Sequence, residues 1–255
     1  MELLPRPFLP PIWRELPSLE WLRPPTTRTP APPAVEGRQP VLVIPGFLAG
    51  DGSLRVLRQA LRDAGHQPHA VGIRWNVGCS EAAVDRVRAA TERLAERLDR
   101  RVVLVGHSRG GLFARVLARR RPDLVSAVIT LGSPHRDPLA VHPLVWASAA
   151  ALATIGTLRV PGVLRWSCGG SGCCADFHRD LREPLPVGVD ALSVYSRTDG
   201  VVDWRACIDP AGRRLEVAST HCGMVAHAPT LWAIVSAIGE LETADRSPSP
   251  CGRGG

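Results

Sequence analysis

A chain of 255 residues with 45% apolar side chains can build one sizeable core, so a single domain with dissimilar ends is the simplest organisation. The formal charge is +7, all from an excess of arginine without any lysine, but the arginines are spread along the chain. Aromatic residues make up only 5% and no nucleic-acid motif occurs, which argues against a nucleic-acid partner. The longest apolar stretch, Leu144 to Leu158, is too short to span a bilayer, so no transmembrane segment is expected. Peripheral contact with an anionic lipid surface is left open as one use of the charge, with coding bias as the other origin.

Residues 1–39 are proline-rich and are expected to form an extension, with 24–39 as an extended linker. The run Trp13 to Leu22 is too proline-broken for a long helix and is suited to packing across the domain or lying on a membrane surface. No signal peptide is evident, which points to a cytoplasmic location, with membrane association left open. From residue 40 onward, strands and helices alternate. Strands are expected at 41–44, 69–73, 101–105 and 125–131, and helices at 53–64, 80–99 and 109–120. An excursion over 134–188 follows, then strands at 191–196 and 213–218 and a helix from Met224 to Leu241. This order predicts an α/β fold over 40–242, with a mainly parallel sheet, helices on both faces and a lid-like insertion at 134–188. Residues 243–255 are polar and rich in proline and glycine, and disorder is expected there.

Residues 106–111, Gly-His-Ser-Arg-Gly-Gly, sit between an apolar strand and a helix. Gly-x-Ser-x-Gly in that context is a nucleophile elbow. The serine must turn sharply, at a cost of about 1–3 kcal/mol, and glycines on either side remove side chains that would collide. Ser108 is the expected nucleophile. The Arg109 amide, at the start of the helix, is one expected oxyanion donor. The other is the Phe47 amide, in the glycine-bearing loop after strand 41–44.

A serine hydroxyl needs a base, and the base needs an orienting acid, here expected in the order Ser, Asp, His. Asp199 lies in a turn directly after strand 191–196 and is favoured over Asp203, which suits capping or pairing with Arg205. His221 lies just after strand 213–218 and is favoured over His227, which falls within the last predicted helix. His107 is expected to pack beneath the serine. His66, His69, His135, His142 and His178 read as structural or exposed.

These residues together resemble the α/β-hydrolase superfamily, and within it bacterial lipase and esterase-like members. Ile-Pro-Gly-Phe (44–47) looks like the oxyanion loop, though Pro45 stands where many lipases carry histidine. Gly-His-Ser-Arg-Gly-Gly looks like the elbow. Ser-Arg-Thr-Asp-Gly-Val-Val (196–202) resembles the acid turn and Thr-His-Cys-Gly-Met (220–224) the histidine turn. Val-Ile-Thr-Leu-Gly-Ser-Pro-His (128–135) resembles the strand that leads into a lipase lid region. The resemblance implies a serine hydrolase acting on a small-molecule ester or lipid, with no metal or organic cofactor in the chemistry. An acyltransferase or thioesterase on the same three residues is the alternative, and a binding protein on a hydrolase fold is a further one. Leu144 to Ile155 is apolar nearly all round, which suits either a lid or acyl-binding wall, or an ordinary core helix.

The seven cysteines are Cys79, Cys168, Cys173, Cys174, Cys207, Cys222 and Cys251. The compact loop from Cys168 to Cys174 can close as a disulfide, bind metal with His178, or stay as free thiols. Its spacing matches no metal motif. A Cys207–Cys222 link would brace the loop that carries His221.

Overall fold

The computed structural model describes residues 12–15, 39–170 and 172–246. The apolar tetrad Val41 to Ile44 belongs to strand β1 (Pro40–Ile44), which is buried throughout. A strand covered on both faces has no polar side to show, so it reads as an unbroken apolar run. Strand β3 (Val102–His107) follows the same rule through Val105, and strand β4 (Val125–Leu131) is buried except at the partly exposed Ser126. With strands β2 (Gln67–Ala70), β5 (Asp190–Tyr195) and β6 (Arg213–Glu216) they form one parallel sheet in the order β2-β1-β3-β4-β5-β6.

Strand periodicity splits the core in two. Leu42, Ile44 and Leu104 point to one face, where they pack with Val87 and Leu94 of α2 (Ser80–Leu98), Phe113 and Val116 of α3 (Arg109–Arg120), and Phe177 of α5 (Ala175–Arg182). Val41, Val43, Val103 and Val105 point to the other, against Leu57 and Leu61 of α1 (Arg55–Asp63) and Ile234 and Ile238 of α6 (Ala228–Arg246). The expected doubly covered parallel sheet is the observed one.

Some boundaries differ from expectation, each for a local reason. The strand expected at 69–73 lies at 67–70, because the Gly72 and Ile73 amides donate to Asp51 Oδ2 at 2.8 and 2.9 Å, which takes them out of the ladder. Gly72 also turns the chain with φ +90°. The last helix starts at Ala228, not at 224. Pro229 can begin a helix but cannot continue one from upstream, so residues 223–225 form only a 3₁₀ turn. His227 therefore sits at the entrance of α6, not inside a helix, and its Nδ1 is 3.0 Å from Thr230 Oγ1. The helix also runs on to Arg246, past its expected end at Leu241 and into the first residues of the tail expected to be disordered from 243, through helix-forming residues that precede Ser247-Pro248. Residues 1–11, 16–38 and 247–255 lie outside the described residues, as do most of the extension, the linker and the tail expected there.

Between β4 and β5 the chain inserts α4 (Pro143–Thr157), a 3₁₀ turn at Trp166–Gly169, and α5. Helix α4 is not a core helix. Only Ala153 and Gly156 are buried along it, and Leu144, Trp146 and Ile155 are 59%, 52% and 45% exposed. Gly156 lets the backbones of α4 and the following loop touch, since a Cβ there would stand 2.1 Å from the Leu164 carbonyl oxygen.

Beneath α3, Arg115 Nη1 donates to Asp209 Oδ2 at 2.5 Å, with both side chains less than a tenth exposed. The Asp209 amide also donates to Ser193 Oγ of β5, so Asp209 joins the β5–β6 connection to both β5 and the elbow helix. Removing one partner would strand a buried charge. Asp209→Ala is therefore expected to lower unfolding free energy by about 3–5 kcal/mol, while the double change Arg115→Met with Asp209→Leu costs far less. Urea denaturation of both variants checks this, and equal losses in the two would contradict it.

Candidate active site

Ser108 follows β3 directly and adopts φ 51°, ψ −123°, a conformation that side-chain-bearing residues rarely hold. Its amide donates to the Leu131 carbonyl at 2.8 Å. The turn closes only because of its glycines. A Cβ on Gly106 would lie 2.4 Å from Gly111 Cα, and one on Gly110 would lie 2.3 Å from the Ile44 carbonyl oxygen. Among the described residues, the Ser108 hydroxyl has no hydrogen-bond partner, and it opens onto a cleft that His221 also lines.

The acid and histidine turns meet as the strand order requires. Asp199 and His221 leave the carboxyl ends of adjacent strands β5 and β6, and His221 Nδ1 lies 2.7 Å from Asp199 Oδ2. The other carboxylate oxygen accepts from the Val201 and Val202 amides at 2.8 and 2.7 Å, so Asp199 is held on both sides. Burial works against a charged His221, but the Asp199 carboxylate outweighs it with help from Glu15, and the pKa is raised above the usual imidazole value. Asp203 does what its spacing suggested. It caps the turn 204–207 by accepting from the Arg205 amide, and it pairs with the Arg205 guanidinium at 3.4 Å.

His107 packs beside His221, with ring centroids 4.8 Å apart, and its Nε2–H donates to the His221 carbonyl at 3.0 Å. Burial first, and the neighbouring imidazole second, push its pKa down to about 3. It is a neutral strut for the His221 backbone.

The loop after β1 is fastened from outside. Asn76, buried, donates from Nδ2 to the Pro45 carbonyl at 2.9 Å and accepts from the Leu48 amide at 3.2 Å. The Arg109 guanidinium reaches Asn76 Oδ1, the Gly78 carbonyl and Ser80 Oγ at 3.1, 2.7 and 3.0 Å. So the two expected oxyanion donors, the Phe47 and Arg109 amides, sit on segments joined through Asn76.

Three parts of the site lay beyond sequence reasoning. Asn76 is one. Gly132, with φ +55°, is another, since a Cβ there would stand 3.0 Å from His221 Nδ1 and 3.2 Å from Asp199 Oδ2. The third is Glu15. Its carboxylate accepts from the Gly200, His221 and Cys222 amides at 2.9, 2.7 and 2.9 Å, and so bridges the acid and histidine turns from the N-terminal segment. Glu15→Ala is expected to lower stability by about 1.5–3 kcal/mol, the scale of a charge-assisted hydrogen-bond set. It is also expected to lower the His221 pKa, because a nearby negative charge is lost. An imidazole NMR titration reads that shift, and an unchanged pKa would contradict it.

The bracing Cys207–Cys222 link that the sequence allowed is not formed: both are free thiols, and the Cys207 Sγ–H points to the Asp203 carbonyl at 3.8 Å. Partial burial and the Glu15 and Asp199 carboxylates push the Cys222 thiol up to about 12, which leaves it a neutral thiol and no rival nucleophile.

Two apolar clefts meet at Ser108. One, of about 250 Å³, is lined by Leu112, Val145, Trp146, Ala149 and Phe177. The other, of about 660 Å³, runs past Phe47, Leu48, Trp75, Leu144 and His221. Helix α4 borders both.

A serine on a glycine elbow above a parallel sheet, with an Asp–His pair on later strands of the same edge, defines the architecture: this chain has the α/β-hydrolase fold. The family model described as alpha/beta hydrolase fold matches residues 39–153. Among solved structures, the chain is similar to the mature Bacillus licheniformis lipase BlEst2, with TM-score 0.59 and 14% identity over 81% of this chain and 93% of that one. It is also similar to a Paleococcus ferrophilus monoacylglycerol lipase, with TM-score 0.56 and 15% identity over 80% and 96% of the two chains. A 36-residue stretch, 14% of the chain, is 53% identical to a triacylglycerol lipase of Pseudarthrobacter phenanthrenivorans and spans 11% of that relative's length. Among the described residues, no helix is long and apolar enough to cross a membrane.

Proposed function

We propose that this protein is a serine carboxyl-ester hydrolase of lipase or esterase type. The observation that carries the reading is the buried His221–Asp199 pair, 2.7 Å apart, in the cleft onto which the strained Ser108 opens. In the proposed reaction, His221 Nε2 removes the Ser108 proton as Oγ attacks the ester carbonyl. The Phe47 and Arg109 amides hold the resulting oxyanion. His221 then protonates the departing alcohol, and water, deprotonated by the same nitrogen, releases the acid. Asp199 keeps the Nδ1 proton in place throughout. Both clefts are predominantly apolar, which suits acyl chains, and the lipases among similar structures support the same substrate class. In this reading α4 is the lid or acyl wall, and its exposed Leu144 and Trp146 are the contact with a lipid surface.

Hydrolysis of p-nitrophenyl esters from short to long acyl chains tests this. Turnover with a chain-length optimum is expected, and a rate that rises on micellar substrate supports the lid role of α4. No turnover at any chain length by folded protein would overturn the reading, and equal rates on monomeric and micellar ester would remove the lid from it.

The pH dependence has a definite sign. His221 must be neutral to act as base, and its pKa is raised. The rate therefore falls as pH drops through a value above the ordinary imidazole pKa of about 6.5. A kcat/KM profile with its acidic limb below that value would contradict the role given to Asp199.

A further inference from the structure

We infer that Cys79, Cys168, Cys173 and Cys174 form a structural zinc site that pins the inserted cap to the body of the fold. The inference stands apart from the ester-hydrolase reading, since it rests on different residues.

The four Sγ atoms all lie within 4.8 Å of one another. The separations are 3.3 Å for Cys79–Cys174, 3.4 Å for Cys168–Cys173, 3.8 Å for Cys79–Cys173 and 4.0 Å for Cys173–Cys174. Zinc bound by four thiolates at about 2.3 Å places the sulfurs on a tetrahedron with edges of about 3.8 Å. The spacing matches those edges on several sides at once. Two disulfides would instead draw the sulfurs into two pairs at about 2.0 Å, and all four are free thiols here.

The surroundings suit a centre of negative charge. Zinc binding releases the four thiol protons to solvent and leaves a net charge of −2 on the complex. Cys79 is the N-cap of α2, at the positive end of the helix. The Arg165 amide donates to Cys168 Sγ at 3.4 Å. The Arg109 guanidinium, whose hydrogen bonds go to the neutral oxygens of Asn76, Gly78 and Ser80, lies close enough to interact with three of the thiols. Cys173 is exposed, which gives a metal ion a way in.

His178, which the sequence offered as a ligand only if the Cys168–Cys174 loop bound metal, is not part of the set. Its Nε2 lies 3.1 Å from the Cys168 carbonyl oxygen, so it steadies the loop from behind. The fourth ligand is Cys79, from the other side of the sheet order, before α2. The site therefore joins the connection that enters α2 to the turn Trp166–Gly169 and the start of α5. Trp166, Cys168 and Phe177 line the smaller apolar cleft beside Ser108. The zinc would thus fix one wall of that cleft and, through Gly78 and Ser80, the anchorage of Arg109.

The test is metal analysis of the full chain, purified with reductant and without chelator. About one zinc per chain is expected by mass spectrometry of the metal content, and cobalt exchanged into the site should give the visible absorption of a tetrahedral tetrathiolate. Cys79→Ser and Cys173→Ser are each expected to lose the metal, and Cys207→Ser to keep it. If either variant does not fold, alkylation of the wild type decides the matter. Four thiols should resist alkylation until a chelator is added and react afterwards. Metal-free protein whose four sulfurs alkylate at once, or peptide mapping that finds them joined as disulfides, would overturn the proposal. So would metal retained by both Cys79→Ser and Cys173→Ser.

Discussion

Ser108→Ala is expected to lower kcat for ester hydrolysis by about 10⁴–10⁶-fold, with KM little changed. In the proposed mechanism the Ser108 hydroxyl forms the acyl-enzyme. What survives its loss is binding and oxyanion stabilisation, which alone accelerate the reaction by roughly 10³–10⁴ over water. The position has a second signature. Ser108 holds φ 51° against the preference of any residue with a Cβ. Ser108→Gly should therefore be equally inactive but more stable, by up to about 1–3 kcal/mol. Ester kinetics and urea denaturation on the two variants read both effects. A loss of less than tenfold in Ser108→Ala would move the nucleophile elsewhere, and lower stability in Ser108→Gly would mean that the turn is not strained.

Asp199→Asn is expected to lower kcat by about 10⁴-fold at neutral pH. The shape is conserved, and the side-chain oxygen can still accept from the Val201 and Val202 amides. What changes is the group facing His221 Nδ1. An amide NH₂ there favours the tautomer with the proton on Nε2, the atom that accepts the serine proton in the proposed mechanism. The negative charge that raises the His221 pKa is lost as well. The acidic limb of the pH profile should therefore move down as the rate falls. If Asp199→Asn retains most activity, the orienting acid lies elsewhere, and Glu15, which holds the His221 amide, becomes the residue to replace.

Much of the fold was legible because the signals are short in range. The runs 41–44 and 102–105 alternate between two cores within single strands, and that needs only the strand period. The elbow was legible for the same reason: Gly106, Ser108 and Gly110 lie within one turn. The placement of α4 along the clefts beside Ser108 was not. Its apolar pattern fits burial or a cleft equally well, and only its position over the site distinguishes the two. Helix α6 was misplaced at its start because the apolar residues 224–225 continue its pattern, while Pro229 sets the actual boundary.

The sequence by itself determined the order of strands and helices, the strained serine between β3 and α3, and the pairing of an acid turn with a histidine turn on successive strands. Each follows from local periodicity, from glycine sterics, or from the rule that parallel strands deliver their loops to one edge. Tertiary structure alone decided which distant groups support them. Glu15 reaches His221 across 206 positions, Asn76 reaches Pro45 across 31, and Cys79 meets Cys173 across 94. No local pattern marks these residues. A hydrogen bond or thiolate cluster between remote segments depends on where the chain returns in space, and that is set by the packing of the whole sheet and its helices.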